Sequence, residues 1–254
     1  MRKIAFTALV GSKNCNLDTK ESDSDYKVIV LPTFDDLYRN ITYSETIIGE
    51  KEDFDFHDIR KIVNLFWKSN INYIQVLYSK EIKFSGIEEI DKMLKEIFKH
   101  RDQIATMNLP YLYSSCHGMH LEKMKQITHG TAGTQHLVDK FGYDCKQFLH
   151  AFRMLDFVQR FANSGFKNFE RSIRYDNGHE RDNRLNMKNG FYTLEEAREI
   201  IRVEYQEFKA YEEIYKSQPV KEDVKKWLEE IVYKIVRYYT KIEMEGVIVN
   251  EARI

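Results

Sequence analysis

Gly11-Ser12, followed after ten residues by Asp23-Ser24-Asp25, are the residues whose types and spacing could do chemistry in this chain. Two carboxylates held side by side repel unless a cation lies between them, and hard oxygen ligands suit Mg²⁺ or Mn²⁺. Magnesium keeps waters and binds substrate phosphates, so a metal–nucleotide is the natural guest. Gly11 permits close backbone approach, and Ser12 offers a hydroxyl and an N–H to a phosphate oxygen. Taken singly, a Gly-Ser turn or an Asp-x-Asp pair is most often only a solvated loop. The combination carries more weight because each fragment sits at the end of an apolar run.

Those runs are the elements that must position the site. Ile4 to Val10 reads as a strand that delivers Gly11, and Tyr26 to Leu31 as a β-branched strand stopped by Pro32. On an extended backbone Asp23 and Asp25 point to one face. Thr42 to Gly49 and Asp53 to Phe56 are further strand candidates. Asp58 is a candidate N-cap for a helix carrying Ile59, Ile62, Val63 and Phe66, and Ile71 to Leu77 is a short amphipathic stretch. Beyond residue 85 the periodicity is helical: from the Ser85-Gly86-Ile87-Glu88 box to His100, then Tyr111 to Ile127, Asp144 to Ala162, Leu194 to Lys216 behind a Thr193-x-x-Glu196 box, and Lys221 to Met244. The aperiodic, polar stretch Tyr175 to Gly190 reads as a loop. The expected fold is α+β: a small mixed-sheet domain over 1-105, then a mostly helical domain over 106-254, with the site at their junction.

Composition suits a soluble enzyme. The 254 residues carry a formal net charge of -1, so no global basic field recruits nucleic acid. No apolar run is long enough to span a bilayer, and Met1-Arg2-Lys3 opens no signal peptide, so no membrane partner is expected. Three cysteines without a CxxC pair argue against a disulfide framework and for a reducing cytoplasm. Cys116, His117, His120 and His129 fit no structural zinc spacing. Gly130 to Thr134 reads as an interhelical turn, because no GK[ST] follows. Arg174 and His179 lie beside an Asn177-Gly178 turn signal and are discounted as an R-x4-H pair.

A second constellation lies in the helical half. With Asp144 as N-cap, Lys146, His150 and Arg153 recur at i, i+4 and i+7 and form one stripe. Nitrogen-bearing side chains so aligned repel unless an anion faces them. A triphosphate would satisfy them, although helix spacing alone favours a solvated basic face.

The stretch GSKNCNLDTKESDSDYKVIVLP from Gly11 to Pro32 resembles the nucleotidyltransferases of the DNA polymerase beta superfamily, in a branch of predicted nucleotidyltransferases with a G-S…S-D-x-D hallmark. The same branch has a helix reading G-Y-D-x-K with His and Arg at the spacings seen from Gly142 to Arg153. The likeness is close in these two stretches and thin elsewhere. It implies metal-dependent transfer of a nucleoside monophosphate from an NTP (ATP among them) to an acceptor hydroxyl, with release of pyrophosphate. Asp23 and Asp25 would hold Mg²⁺ or Mn²⁺. Gly11 and Ser12, with Lys146 and Arg153, would bind the triphosphate, and His150 would orient the same phosphates or stack near the base.

Such a site needs a third carboxylate. Asp55, flanked by Phe54 and Phe56, fits the hydrophobic–acid–hydrophobic pattern and is favoured because burial would raise its basicity; Asp53 is the alternative. Where relatives read a glutamate, this chain has Gln75. The acceptor is ranked RNA first, gripped by Arg171, Arg174, Arg181, Arg184 and Lys188, with a small molecule or protein as alternatives. A catalytically inactive nucleotide-sensing or partner-binding module on the same fold is the competing reading. Oligomeric state is left open.

Overall fold

In a computed structural model of the chain, residues 2–131 and 133–246 are described; Met1 and Ala132, which fall in two of the stretches read above, lie outside them. Strands and short helices alternate first: β1 (Ile4–Val10), α1 (Gly11–Asn14), β2 (Ser24–Val30), α2 (Phe34–Tyr38), β3 (Ser44–Ile48), β4 (Glu52–Asp58), α3 (Ile62–Trp67), α4 (Ile71–Ile74), β5 (Ile82–Phe84) and α5 (Glu88–Lys99). The rest is helical: α6 (Arg101–Ala105), α7 (Leu109–Gln126), α8 (Gln135–Phe141), α9 (Cys145–Asn163), α10 (Phe169–Ile173), α11 (His179–Lys188), α12 (Leu194–Lys209), α13 (Glu212–Lys216) and α14 (Glu222–Met244). The class is α+β, with a five-stranded mixed sheet ahead of the helices.

The chain forms two compact units, one reaching to Met107 and resuming at Lys221, the other spanning Asn108–Val220. In the first, the strand order is β3-β4-β2-β1-β5. β2 and β4 run parallel, and the other neighbours are antiparallel. One face gathers Val28, Val30 and Phe56 with Tyr26, Tyr43 and Phe54. On the other, Phe6 meets Phe98 of α5 edge-on at 5.3 Å. Helix α14 belongs here and not with the helical half: its buried stripe Val224, Leu228, Val232, Ile235 and Tyr239 recurs every three or four residues and packs against α5 and α3. The chain leaves and returns to this unit at adjacent points, since Lys221 N–H donates to Met107 O at 2.8 Å.

The second unit is built around α9, whose Phe148, Leu149, Phe152, Leu155 and Phe161 are all buried. Asp144 caps it by accepting from the N–H groups of Lys146 and Gln147, each at 3.0 Å, a contribution of about 1 kcal/mol. Helix α7 runs antiparallel to α9, because Asp144 N–H donates to Ile127 O at 2.7 Å and His120 Nδ1 to Ala151 O at 3.1 Å.

Three local expectations change. The segment 175–190 is not a loop throughout: α11 occupies most of it. Only Met187 of that helix is buried, so no apolar period announced it; it is held by Arg184, whose guanidinium lies 4.1 Å over the Phe152 ring. The helix expected from Leu194 to Lys216 breaks after Lys209 and restarts as α13. Ser85 pairs with Asp91 (Oγ to Oδ1, 2.6 Å) in place of a box with Glu88, whereas Thr193 and Glu196 do form one.

Candidate active site

β1 ends at Val10, and the φ of +67° at Gly11, which follows, lies in the left-handed region. A Cβ there would overlap the Asp25 carboxylate and lie 2.7 Å from its Cγ. Glycine is therefore required for both conformation and space, and the turn is pressed against the carboxylate. Behind it, α1 runs directly on from the strand: Gly11 O accepts from Cys15 N–H at 3.2 Å and Ser12 O from Leu17 N–H at 2.8 Å.

The register then builds a row across three strands. Val10 stands opposite Asp25, and Asp25 opposite Asp53. Residues in register on parallel strands share a face and lie about 4.8 Å apart in the hydrogen-bonding direction. Tyr26 and Phe54, the next pair, stack at 5.4 Å on the other face. Asp53 accepts from Gly49 N–H at 3.1 Å, which anchors it beside the β3–β4 turn. Asp23 is exposed and precedes β2, which begins at Ser24, so the aspartates in register on neighbouring strands are Asp25 and Asp53.

Asp55 sits two positions further along, opposite Lys27. It is ion-paired with Lys27, lies 3.0 Å from His57 Nε2 and accepts from Thr46 Oγ1 at 3.1 Å. His57 Nε2 is in turn 3.0 Å from Tyr73 Oη, and Lys27 Nζ lies 4.5 Å from the centre of the Tyr73 ring. Burial pushes the Asp55 carboxyl upward, but hydrogen bonds and charges from His57 and Lys27 outweigh it and hold it well below the usual carboxylate range. The raised basicity expected of Asp55 is therefore corrected: its partners, not its burial, decide its charge.

Sequence reasoning passed over two cations at the turn. Lys13 Nζ donates to Ser24 Oγ at 2.6 Å, between the two aspartates of the Asp-x-Asp pair. Lys80 donates from its N–H to Asn14 Oδ1 at 3.1 Å and from Nζ to Lys13 O at 3.4 Å. The signal for Lys13 was its place directly after Gly11-Ser12; Lys80 had none, because it arrives with the segment leading into β5. Gln75 is buried with its Oε1 4.0 Å from Cys15 Sγ, behind the turn. Among the described residues, no three His, Cys, Asp or Glu side chains gather closely enough to hold a metal unaided, Cys116 and His120 included. The in-register carboxylates against the Gly11 backbone fit an ion that substrate phosphates complete.

In the second unit, Lys146 and His150 are exposed on α9 and Arg153 is half-buried on the same stripe. Burial is the first cause lowering the His150 pKa, followed by the charges of Arg153, Lys123, Lys188 and Lys146. Because the side chain reaches solvent, the like charges are the cause we stand behind. Of the basic residues proposed to grip RNA, Arg184 is committed elsewhere: its Nη2 lies 3.7 Å from Asp156 Oδ1 and its side chain is largely buried. Arg174 pairs with Glu170.

A mixed sheet with a Gly-Ser turn and Asp-x-Asp at the head of a central strand is the frame of a polymerase-beta-type nucleotidyltransferase. The model of the RNA repair pathway DNA polymerase beta family (RlaP) matches residues 1–163, and the chain belongs to this family. The match ends at the last residue of α9, so it includes the turn, the aspartates and the basic stripe but not α11. No curated protein matches the chain. Among the described residues no helix is long and apolar enough to cross a membrane.

Proposed function

We propose that the protein transfers a nucleoside monophosphate from an NTP to an acceptor hydroxyl and releases pyrophosphate. The observation that carries this reading is the row Val10–Asp25–Asp53 against the Gly11 turn. Asp25 and Asp53, with Asp23, would hold Mg²⁺, which when bound supplies a Lewis acid for the attacking hydroxyl and charge for the triphosphate. Asp53 takes the role first given to Asp55, because a carboxylate held ionised by Lys27 and His57 is a poor proton acceptor. Gly11, Ser12 and the Lys13 ammonium would orient the phosphates, and Lys146, His150 and Arg153 would add positive charge and hydrogen bonds. No covalent nucleophile is needed, because positioning and electrostatics supply the rate.

RNA is the first-choice acceptor, supported by the RNA repair description of the family. A nucleotide-sensing protein without transfer is the second reading, favoured by the commitment of Asp55 to Lys27. Incubation with each α-labelled NTP, Mg²⁺ and cellular RNA separates them. Label should pass to RNA with release of pyrophosphate, and a folded Asp25→Asn protein should transfer none. Turnover by that variant would sink the assignment, and tight NTP binding without pyrophosphate favours the sensor.

A further inference from the structure

The sheet face that carries Asp25 and Asp53 continues, two positions on, with a lysine. Lys27 stands opposite Asp55 in the parallel pair, and Thr46 and Ser44 of β3 stand opposite Asp55 and His57. Residues two apart on a strand share a face and lie about 6.6 Å apart along it, within reach of a lysine side chain. Lys27 could therefore extend to Asp25 on its own strand or to Asp53 on the diagonal. It is turned onto Asp55 instead, where its ammonium is ion-paired with the carboxylate and lies 4.5 Å from the centre of the Tyr73 ring. Asp55 is braced in turn from two strands: Thr46 Oγ1 donates to its Oδ1 at 3.1 Å, and His57 Nε2 lies 3.0 Å from its Oδ2. The His57 ring is itself fixed, with Tyr73 Oη 3.0 Å from Nε2 and Ser44 Oγ 3.3 Å from Nδ1.

We infer that Asp55 and Lys27 are positioning residues for the metal: Asp55, braced by Thr46 and His57, clamps the Lys27 ammonium so that it does not compete with a divalent cation for the oxygens of Asp25 and Asp53. An ammonium on either aspartate supplies the positive charge that the metal would supply, and the two exclude each other. Paired with Asp55 and cupped by Tyr73, the same ammonium is neutralised and acts only weakly on an ion at the neighbouring row. The braces come from β3, β4 and α4, so the lysine is fixed by side chains outside its own strand. The inference rests on the reading of Asp25 and Asp53 as metal carboxylates, and it gives Asp55 a part in the site other than proton acceptor.

Mn²⁺ binding by the full-length protein, followed through loss of the free-ion paramagnetic resonance signal, tests the clamp without turnover. Asp55→Asn frees the ammonium and should weaken Mn²⁺ binding about tenfold. Lys27→Met, close in volume, should change it by less than about threefold, because a clamped ammonium does not compete. Asp55→Asn/Lys27→Met should return to within about threefold of wild type. If the two charges act on the ion independently, Lys27→Met tightens binding equally in both backgrounds, and such additivity overturns the inference. Where Asp55→Asn does not fold, Lys27→Met decides alone: tightening of about tenfold or more reveals a competing ammonium and overturns the clamp. Asp25→Asn separates this result from the reading beneath it. That variant should lose Mn²⁺; if it binds like wild type, the metal reading falls and the inference with it, whereas loss of Mn²⁺ together with an additive cycle removes the clamp alone.

Discussion

The carboxylate row of the first unit and the cationic stripe of the second assemble charge by different routes. Lys146, His150 and Arg153 share a face because a helix repeats every 3.6 residues, so twelve consecutive residues contain all the information needed to align them. Asp25 and Asp53 share a face because β2 and β4 pair in parallel with one register, a choice made between segments 28 residues apart. The local route is robust to everything except the helix itself. The long-range route is decided by the register, in which two positions separate an aspartate opposite Asp25 from one tied into an ion pair. The same spacing of two residues thus gives Asp53 and Asp55 different partners and different chemistry.

The largest effect that would break this contrast concerns those two aspartates. Asp53→Asn should lower kcat on the order of a thousandfold, as expected when a carboxylate in contact with the metal is lost, with the fold intact. Asp55→Asn should keep kcat within about tenfold but lower the Tm by several degrees, because Lys27 and His57 lose their partner in a part-buried network. Steady-state kinetics and thermal melts of the two variants decide it, and the opposite pattern restores Asp55 as the third carboxylate.

A smaller effect compares two left-handed glycines. Gly11→Ala and Gly142→Ala share a φ penalty, at +67° and +77° respectively, of about 1 kcal/mol each. At Gly142 an added Cβ meets nothing within 4 Å, whereas at Gly11 it runs into Asp25. Gly11→Ala should therefore destabilise more in denaturant melts and weaken nucleotide binding, while Gly142→Ala loses only the shared penalty. Equal losses would show that Asp25 does not press on the turn.

The smallest effect is in pH dependence, and its sign differs between the units. In the second, burial first and the charge of Asp156 next push Glu204 up to about 7, against the opposing pull of Arg184 and Gln159. A carboxyl raised above its ordinary 4.5 favours its neutral form, so stability from this group is full below pH 4.5 and lost as pH rises toward 7. In the first, the Arg2 hydrogen bond lowers Asp36 to about 2 despite burial, so its contribution is full above 3.8 and lost as pH falls toward 2. Glu204→Gln should flatten the Tm profile between pH 4.5 and 7, and Asp36→Asn between 4 and 2. A Glu204→Gln profile that stays parallel to wild type would show that Glu204 ionises freely in the fold.

Much of the frame was legible from residues close in sequence. β1 is the run Ile4–Val10 as read, the Thr193 box forms, and α9 begins where Asp144 predicts a cap. What escaped had no local period. α11 buries only Met187 and depends on Arg184 finding Phe152 and Asp156 in another helix. β5 is three residues long and exists by pairing with Phe6 to Ala8. The amphipathic stripe of α14 announced a helix but not its partner, since an apolar face states that it must be covered and not by what.

The amino-acid sequence by itself determined the chemistry available: a glycine turn, an Asp-x-Asp pair, two candidate third acids and a basic stripe at helical spacing. Tertiary structure decided which acid stands in register with Asp25 and that Lys13 and Lys80 stand at the turn. The physical reason is range. Helical period and capping act over a few residues and can be read from them, whereas strand register and helix–helix packing are settled by contacts across tens of residues, where many pairings satisfy the same pattern and burial selects one.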